Sequence, residues 1–382
     1  MIDPTVSALS LGALLALIQI ASIAIAGRRI GTVHGASTFP AGAPVSLVRP
    51  LHGVEAFSDE MLVRSFRLAY PAYELIFCVA DPADPIVPRV QRLIADHPQV
   101  PARLILGDER VSDNPKLNNC VRGWRAAAHD WIVLADSNVA MPPDYLQRLQ
   151  AAWRSDTGLV CSTPAGARPG SFMAEVECAF LNTLQARWQY AAEAFGLGFA
   201  QGKSMLWHKP FLEARGGLQA LASEIAEDAA ATKLVRAAGK RVHLVSSPFE
   251  QPLGRRGFRD VWARQLRWAR LRRVTFALFF IPEIGSGVLL PALLVALWAG
   301  SPAGLAGAAG LIGLCYGAEY RLAVRAGWQR GPRMLAAFLV RDALIPALWL
   351  AAWVQSAIVW RGNAMDVRPR RASVDRACAP TA

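Results

Sequence analysis

Apolar positions fall into three regimes along the chain. Val6 to Ala26 is an uncharged run of 21 residues, long enough to cross a bilayer as one helix. From Val45 to about Ser247 the apolar residues come in short runs instead: Val45–Val48, Leu75–Val79, Arg103–Leu106, Trp131–Leu134, Leu159–Cys161 and Val242–Val245. Short apolar runs between turn residues read as buried strands. Amphipathic stretches over Ser58–Ala69, Pro88–Asp96, Leu117–Ala128 and Asp144–Ala152 read as helices between them. Strands alternating with helices predict an α/β domain, a mostly parallel, Rossmann-like sheet covered on both faces. Its ligand crevice belongs at the carboxyl ends of the strands. After Pro252 the chain turns basic, then apolar again over Phe276–Ala299, Ala303–Val324 and Ala343–Trp360.

The pattern divides the chain into an N-terminal transmembrane anchor (1–29), a soluble domain (30–252), a basic interfacial helix (253–274), C-terminal transmembrane or membrane-associated helices (275–360) and a basic tail (361–382). Ala24-Ile25-Ala26 has the look of a signal-peptidase site, but Asp3 and no Lys or Arg precede the run, and Arg28 and Arg29 follow it. Positive charge stays inside, which predicts an uncleaved anchor and a cytoplasmic domain, as at a bacterial inner membrane. Arg321, Arg325, Arg330 and Arg333 form a second basic, cytoplasmic connection. Three C-terminal spans would leave the basic tail outside; a non-spanning hairpin over Phe276–Ala299 removes that conflict.

Composition sharpens this. Of the 382 residues, 53% are hydrophobic and 18% charged, against about 25% charged in ordinary soluble domains. Disorder is excluded by the apolar content. The net charge is +12, and Gly254 to Arg273 alone carries eight arginines and one aspartate. Within it Val261, Trp262, Leu266, Trp268, Leu271 and Val274 recur at helical spacing, with Arg264, Arg267, Arg270 and Arg273 every third residue. A basic helix with Trp and Leu, next to apolar segments, predicts anionic lipid as the partner rather than nucleic acid. The six cysteines form no C-x-x-C pair, which points to buried free thiols and not to zinc or a disulfide framework.

Four features carry chemistry. Asp81-Pro-Ala-Asp84 and Asp136-Ser137-Asn138 each follow a predicted strand, Glu227-Asp228 opens a helix after Gly216-Gly217, and Arg264-Gln-Leu-Arg267-Trp268 lies in the basic stretch. Carboxylates at strand ends face the crevice. Asp136 with Asn138 suits a hard cation, Mg²⁺ or Mn²⁺, that bridges protein oxygens to phosphate. Asp228 suits a general base. Arg267 suits a diphosphate and Trp268 a ring or the cleft wall. Any one of these acids alone reads better as a cap or turn residue; the ordered set does not.

In this order the motifs resemble those of the family 2-type glycosyltransferases with a GT-A fold, and more narrowly the ceramide glucosyltransferase family, marked by three acidic motifs and (Q/R)-x-x-R-W. Pro44-Val-Ser-Leu-Val-Arg-Pro-Leu-His-Gly-Val54, Asn114-Pro-Lys-Leu-Asn-Asn119 and Ile225-Ala-Glu-Asp228 agree too. The resemblance covers all but the chain ends. It implies a membrane-bound inverting transferase that moves one sugar, glucose by the family, from a UDP-sugar to the primary hydroxyl of ceramide or a similar lipid. It also implies roles: Pro50 and Asp84 at the uridine, Lys116 and Asn118 near the nucleotide, Asp136 on metal and diphosphate, Asp228 as base. Arg264, Arg267 and Trp268 would close over the diphosphate and acceptor. Asn138 stands where the family's D-x-D has its second acid, so metal binding would rest mainly on Asp136.

Several alternatives stay open. The donor sugar could be glucuronate or galacturonate, the acceptor a hopanoid or polyprenyl lipid, and the same motifs occur in processive polysaccharide synthases; Arg264, where those carry Gln, and the few apolar spans argue against the last. A degenerate, non-catalytic membrane scaffold is disfavoured by the intact acids. Gly202-Lys203-Ser204 is no phosphate loop, since position 197 is Leu and not Gly; Gln201-Gly202-Lys203 is expected to line the cleft near the acceptor. The six histidines show no metal spacing, and Arg341-Asp342 reads as an ion pair at the membrane interface. Nothing in the sequence sets the oligomeric state.

Overall fold

The computed structural model describes residues 4–33, 35–299, 302–328, 330–354, 357–360 and 363–366. The central sheet has seven strands: β1 (Val45–Leu51), β2 (Tyr73–Val79), β3 (Ala102–Leu106), β4 (Trp131–Ala135), β5 (Thr157–Cys161), then, past a separate strand β6 (Pro164–Pro169), β7 (Ser204–His208) and β8 (Arg241–Leu244). Their order is β3-β2-β1-β4-β7-β5-β8. All six apolar runs read from the sequence lie in this sheet. The one they miss is β7, which runs antiparallel between β4 and β5. β6 pairs in parallel with β9 (Phe249–Gly254) as a two-stranded ribbon.

Side chains on β4 explain the continuous apolar runs. Ile132 and Leu134 enter one core cluster, while Trp131, Val133 and Ala135 enter the other. Alternate residues face opposite sides of a strand, so a strand buried on both faces has no polar position to spare. Helices Pro115–Ala126 and Glu227–Ala237 cover one face, with Ser58–Ser65 and Tyr145–Ala151 on the other. Gly123 lets the first of these helices lie close on the sheet, for a Cβ there would sit 2.4 Å from Cys78 Sγ and 2.8 Å from Val48 Cγ1. Gly123→Ala is therefore expected to cost about 1–3 kcal/mol by overpacking, despite the better helix propensity of Ala. Denaturant unfolding of the two forms measures it.

The apolar N-terminal helix is tied to this domain by buried charge. Helix Pro4–Arg29 ends on Arg29, whose Nε bonds Glu193 at 2.6 Å and whose other nitrogen donates to the Leu244 carbonyl at 2.8 Å. Two described helices are long and apolar enough to cross a membrane, Ser10–Arg29 and Met334–Val354. A third candidate is a bent pair, Ala277–Gly285 and Leu289–Trp298, with a 54° break. The Phe276–Ala299 segment, considered from the sequence as a non-spanning hairpin, is bent at this break, the form of a broken span or of a re-entrant loop. Gln19 Nε2 donates to the Gly285 carbonyl at 3.2 Å and holds that break. Arg341 and Asp342 do pair, at 2.7 Å, but not at an exposed interface: both are buried, and Glu319 joins Arg341 to Arg187. Residues 367–382 of the expected basic tail lie outside the described residues.

Candidate active site

Two of the acidic motifs meet past the carboxyl end of β4, where Lys116 bonds both Asp136 and Glu227. β1 pairs with β4 only as far as Val48–Leu134, so Arg49 and Pro50 lie where the sheet opens. Proline is tolerated where a ladder stops. Arg49 is fully buried in the gap and donates to the carbonyls of Asp136 at 3.0 Å and Ser137 at 2.8 Å, to Met61 O at 2.9 Å and to Ser65 Oγ. Burial pulls its pKa down to about 10 against the pull of Tyr145 and Asp136. Arg49 thus fixes the acidic loop from behind, a role that the sequence, with its 36 arginines, gave no means to single out.

Asp136 lies between two ammonium groups. Lys116 Nζ is 2.7 Å from Oδ1, and Lys203 Nζ is 2.7 Å from Oδ2. Burial alone would raise this carboxyl, but the two lysines outweigh it and hold it well below the usual carboxylate range. Lys116 reaches in because its helix starts there: the Asn114 side chain caps the backbone N–H groups of Lys116 at 3.0 Å and Leu117 at 3.2 Å. Lys116 also bonds Glu227 Oε1 at 2.7 Å and the Gly202 carbonyl. Glu227, one residue before the expected base, is nearly buried and takes a further 2.7 Å bond from Asn114. The sequence signal was Asn114-Pro-Lys116 itself, an N-cap placed before a lone lysine.

Asp228 is half-buried, and its Oδ2 accepts the Gly202 N–H at 3.2 Å. Burial and the adjacent Glu227 raise its pKa to about 7, with Lys116 opposing. A carboxyl poised near neutrality is what a general base needs. Gly202 leaves room for the ion pair, since a Cβ would sit 2.5 Å from Glu227 Oε1 and 2.8 Å from Lys116 Nζ. Gly202→Ala is expected to force the Lys116–Glu227 pair apart and to lower transfer by at least roughly tenfold; kcat of the folded variant tests this.

The other expected residues have different surroundings. Asp84 is buried, and its carboxylate accepts N–H groups of Gly53 at 2.8 Å and Ile86 at 2.9 Å, with His52 Nδ1 at 3.4 Å. It joins the loop after β1 to the loop after β2. Asn118 likewise holds a loop, accepting from Val111 at 2.9 Å and Ser112 at 3.0 Å. Arg264 pairs with the buried Glu177 at 2.7 Å, bonds Gln251 at 3.1 Å and stacks 4.7 Å over the Trp268 ring. Trp268 packs on Ala174, Cys178, Leu181 and Leu253, so it is a wall of the basic helix, Phe258–Thr275. Arg267 is half-buried on the same helix. The field of Arg264 still reaches the cleft, where, after burial itself, it helps hold Lys203 below its ordinary pKa against Asp136.

Asp136 and Asn138 do converge on one cation position, but Lys203 Nζ fills it, 2.7 Å from the first and 3.0 Å from the second. One carboxylate and one amide, both already bonded to ammonium, do not fit a divalent cation held by the protein. Among the described residues no group of three His, Cys, Asp or Glu side chains is arranged to hold a metal ion.

The sequence model of glycosyl transferase family 21 matches residues 9–373. The chain belongs to glycosyl transferase family 21. Ceramide glucosyltransferase 1 of Caenorhabditis elegans is 25% identical over 343 residues, which are 86% of this chain and 73% of that protein. The ceramide glucosyltransferase of Candida albicans is 36% identical over 107 residues, 25% of this chain and 20% of the relative. Among solved structures, a mannosyltransferase of Pyrobaculum calidifontis, in complex with GDP-Man and Mn²⁺, aligns with a TM-score of 0.53 at 17% identity over 92% of this family 21 chain and 96% of its own. That likeness shows the GT-A fold expected from the motifs.

Proposed function

We propose that this family 21 enzyme transfers one sugar, glucose first among the candidates, from a UDP-sugar to the primary hydroxyl of ceramide or a similar sphingolipid. The observation that carries the reading is Asp228, a half-buried carboxyl with a pKa near 7 beside the Lys116–Asp136–Lys203 cluster. Asp228 takes the hydroxyl proton as the lipid oxygen bonds the anomeric carbon. The bond from that carbon to the diphosphate breaks on the opposite face, and its electron pair leaves with UDP. Charge building on UDP is met by fixed cations, Lys116 and Lys203, which need not reorganise. The Asp84–Gly53 and Asn118 loops form the wall proposed to hold the uridine. Names of the relatives support the acceptor class.

The lipid enters from the bilayer, and the domain faces the cytoplasm of a bacterial inner membrane in this reading. Leu278 is 83% exposed and Phe279 60%, directly after the arginine-rich helix, which suits a seat in an anionic interface. Membranes holding the enzyme, given ceramide and a panel of UDP-sugars, are expected to form a ceramide heavier by one sugar. Mass spectrometry reads whether it is hexose, hexuronate or N-acetylhexosamine. UDP-sugar turnover with no ceramide adduct would sink the acceptor; a polymer would favour a synthase.

A further inference from the structure

We propose that Lys203 is a diphosphate ligand built into the acidic loop, its ammonium carrying the charge that a divalent cation would otherwise supply there. The proposal rests on the UDP-sugar reading above and deepens it. Lys203 is placed by the sheet and not by the reach of a flexible side chain. β7 starts at Ser204, opposite Ala135 of β4, and the Asp136 N–H donates to the Lys203 carbonyl at 3.0 Å. The backbone of Lys203 is therefore locked beside the acid that its own side chain bonds.

The two lysines differ in what they have left to offer. An ammonium has three N–H groups. Lys116 has three acceptors: Asp136 Oδ1, Glu227 Oε1 and the Gly202 carbonyl. Lys203 has two, Asp136 Oδ2 and Asn138 Oδ1, among the described residues. Its third N–H is available to a phosphate oxygen. The amide at 138 fits this arrangement, because it orients the ammonium without neutralising it, as a second carboxylate would. A divalent cation placed on Asp136 would instead lie against two ammonium groups bonded to the same carboxylate, with Arg264 adding to the repulsion. A diphosphate meets the opposite field and gains a charge-assisted bond.

The test is UDP binding to the purified full chain by calorimetry, in excess EDTA and in Mn²⁺. Wild type is expected to bind with affinities within a few-fold of each other in the two buffers. Lys203→Met is expected to lose roughly tenfold or more in EDTA, the size of one charge-assisted hydrogen bond, and Lys203→Arg to keep most of the affinity. Collapse of wild-type affinity in EDTA would overturn the proposal without recourse to any variant. So would a folded Lys203→Met, checked by circular dichroism, that binds UDP in EDTA as wild type does. Wild type that binds UDP in neither buffer would overturn the donor reading itself, and this proposal with it.

Discussion

Asp228→Asn is expected to lower kcat by about 10²–10⁴-fold, the range of a positioned general base, while UDP-sugar affinity changes little. The same substitution has an opposite effect on stability. The Asp228 pKa in the folded chain is about 7, above its ordinary 3.8, because burial and Glu227 disfavour the charge. A raised carboxyl stabilises the fold fully below its unfolded value and loses that contribution as pH rises through about 7. Wild type therefore bears an unfavourable buried charge at pH 8 that Asn does not. Thermal unfolding in detergent should show the variant more stable at pH 8, with the gap narrowing as pH falls toward about 4. A variant that is inactive and equally stable at both values would leave Asp228 without the environment described. In wild type, kcat/KM should fall as pH drops through about 7, as the base gains its proton.

Lys116→Met is the second large effect. Removing one partner of a buried ion pair leaves the others unpaired, at about 3 kcal/mol or more. Here Glu227, nearly buried, loses its ammonium, and Asp136 keeps only Lys203. Lys116 also holds the Asp228 pKa down against burial and Glu227. Its loss should move the acid limb of the kcat/KM profile upward from about 7, together with a lower unfolding temperature. The two readouts separate the roles, since a merely structural lysine would lower stability without moving the limb.

What the sequence made legible follows from what a pattern can encode. Runs such as Trp131–Ala135 announced a doubly covered sheet because every position on such a strand is apolar. β7 is hidden because Ser204–His208 is a short strand that opens on Ser and ends on His, leaving only three apolar residues between polar ones. The acids of the motifs were found by order and spacing, but their partners were not. Arg49 and Glu177 act through contacts more than 60 residues away in the chain, to Asp136 and Arg264. By spacing alone Asn138 suits a cation shared with Asp136; only the fold brings Lys203 to it.

A single displacement in which Asp228 deprotonates a lipid hydroxyl inverts the anomeric centre, so the configuration of the product reports on it. Proton NMR of the glycolipid formed from an α-linked UDP-sugar and ceramide reads the anomeric coupling. One sugar per lipid, β-linked, is the expected product. An α-linked product, or no lipid-linked sugar at all, would contradict it.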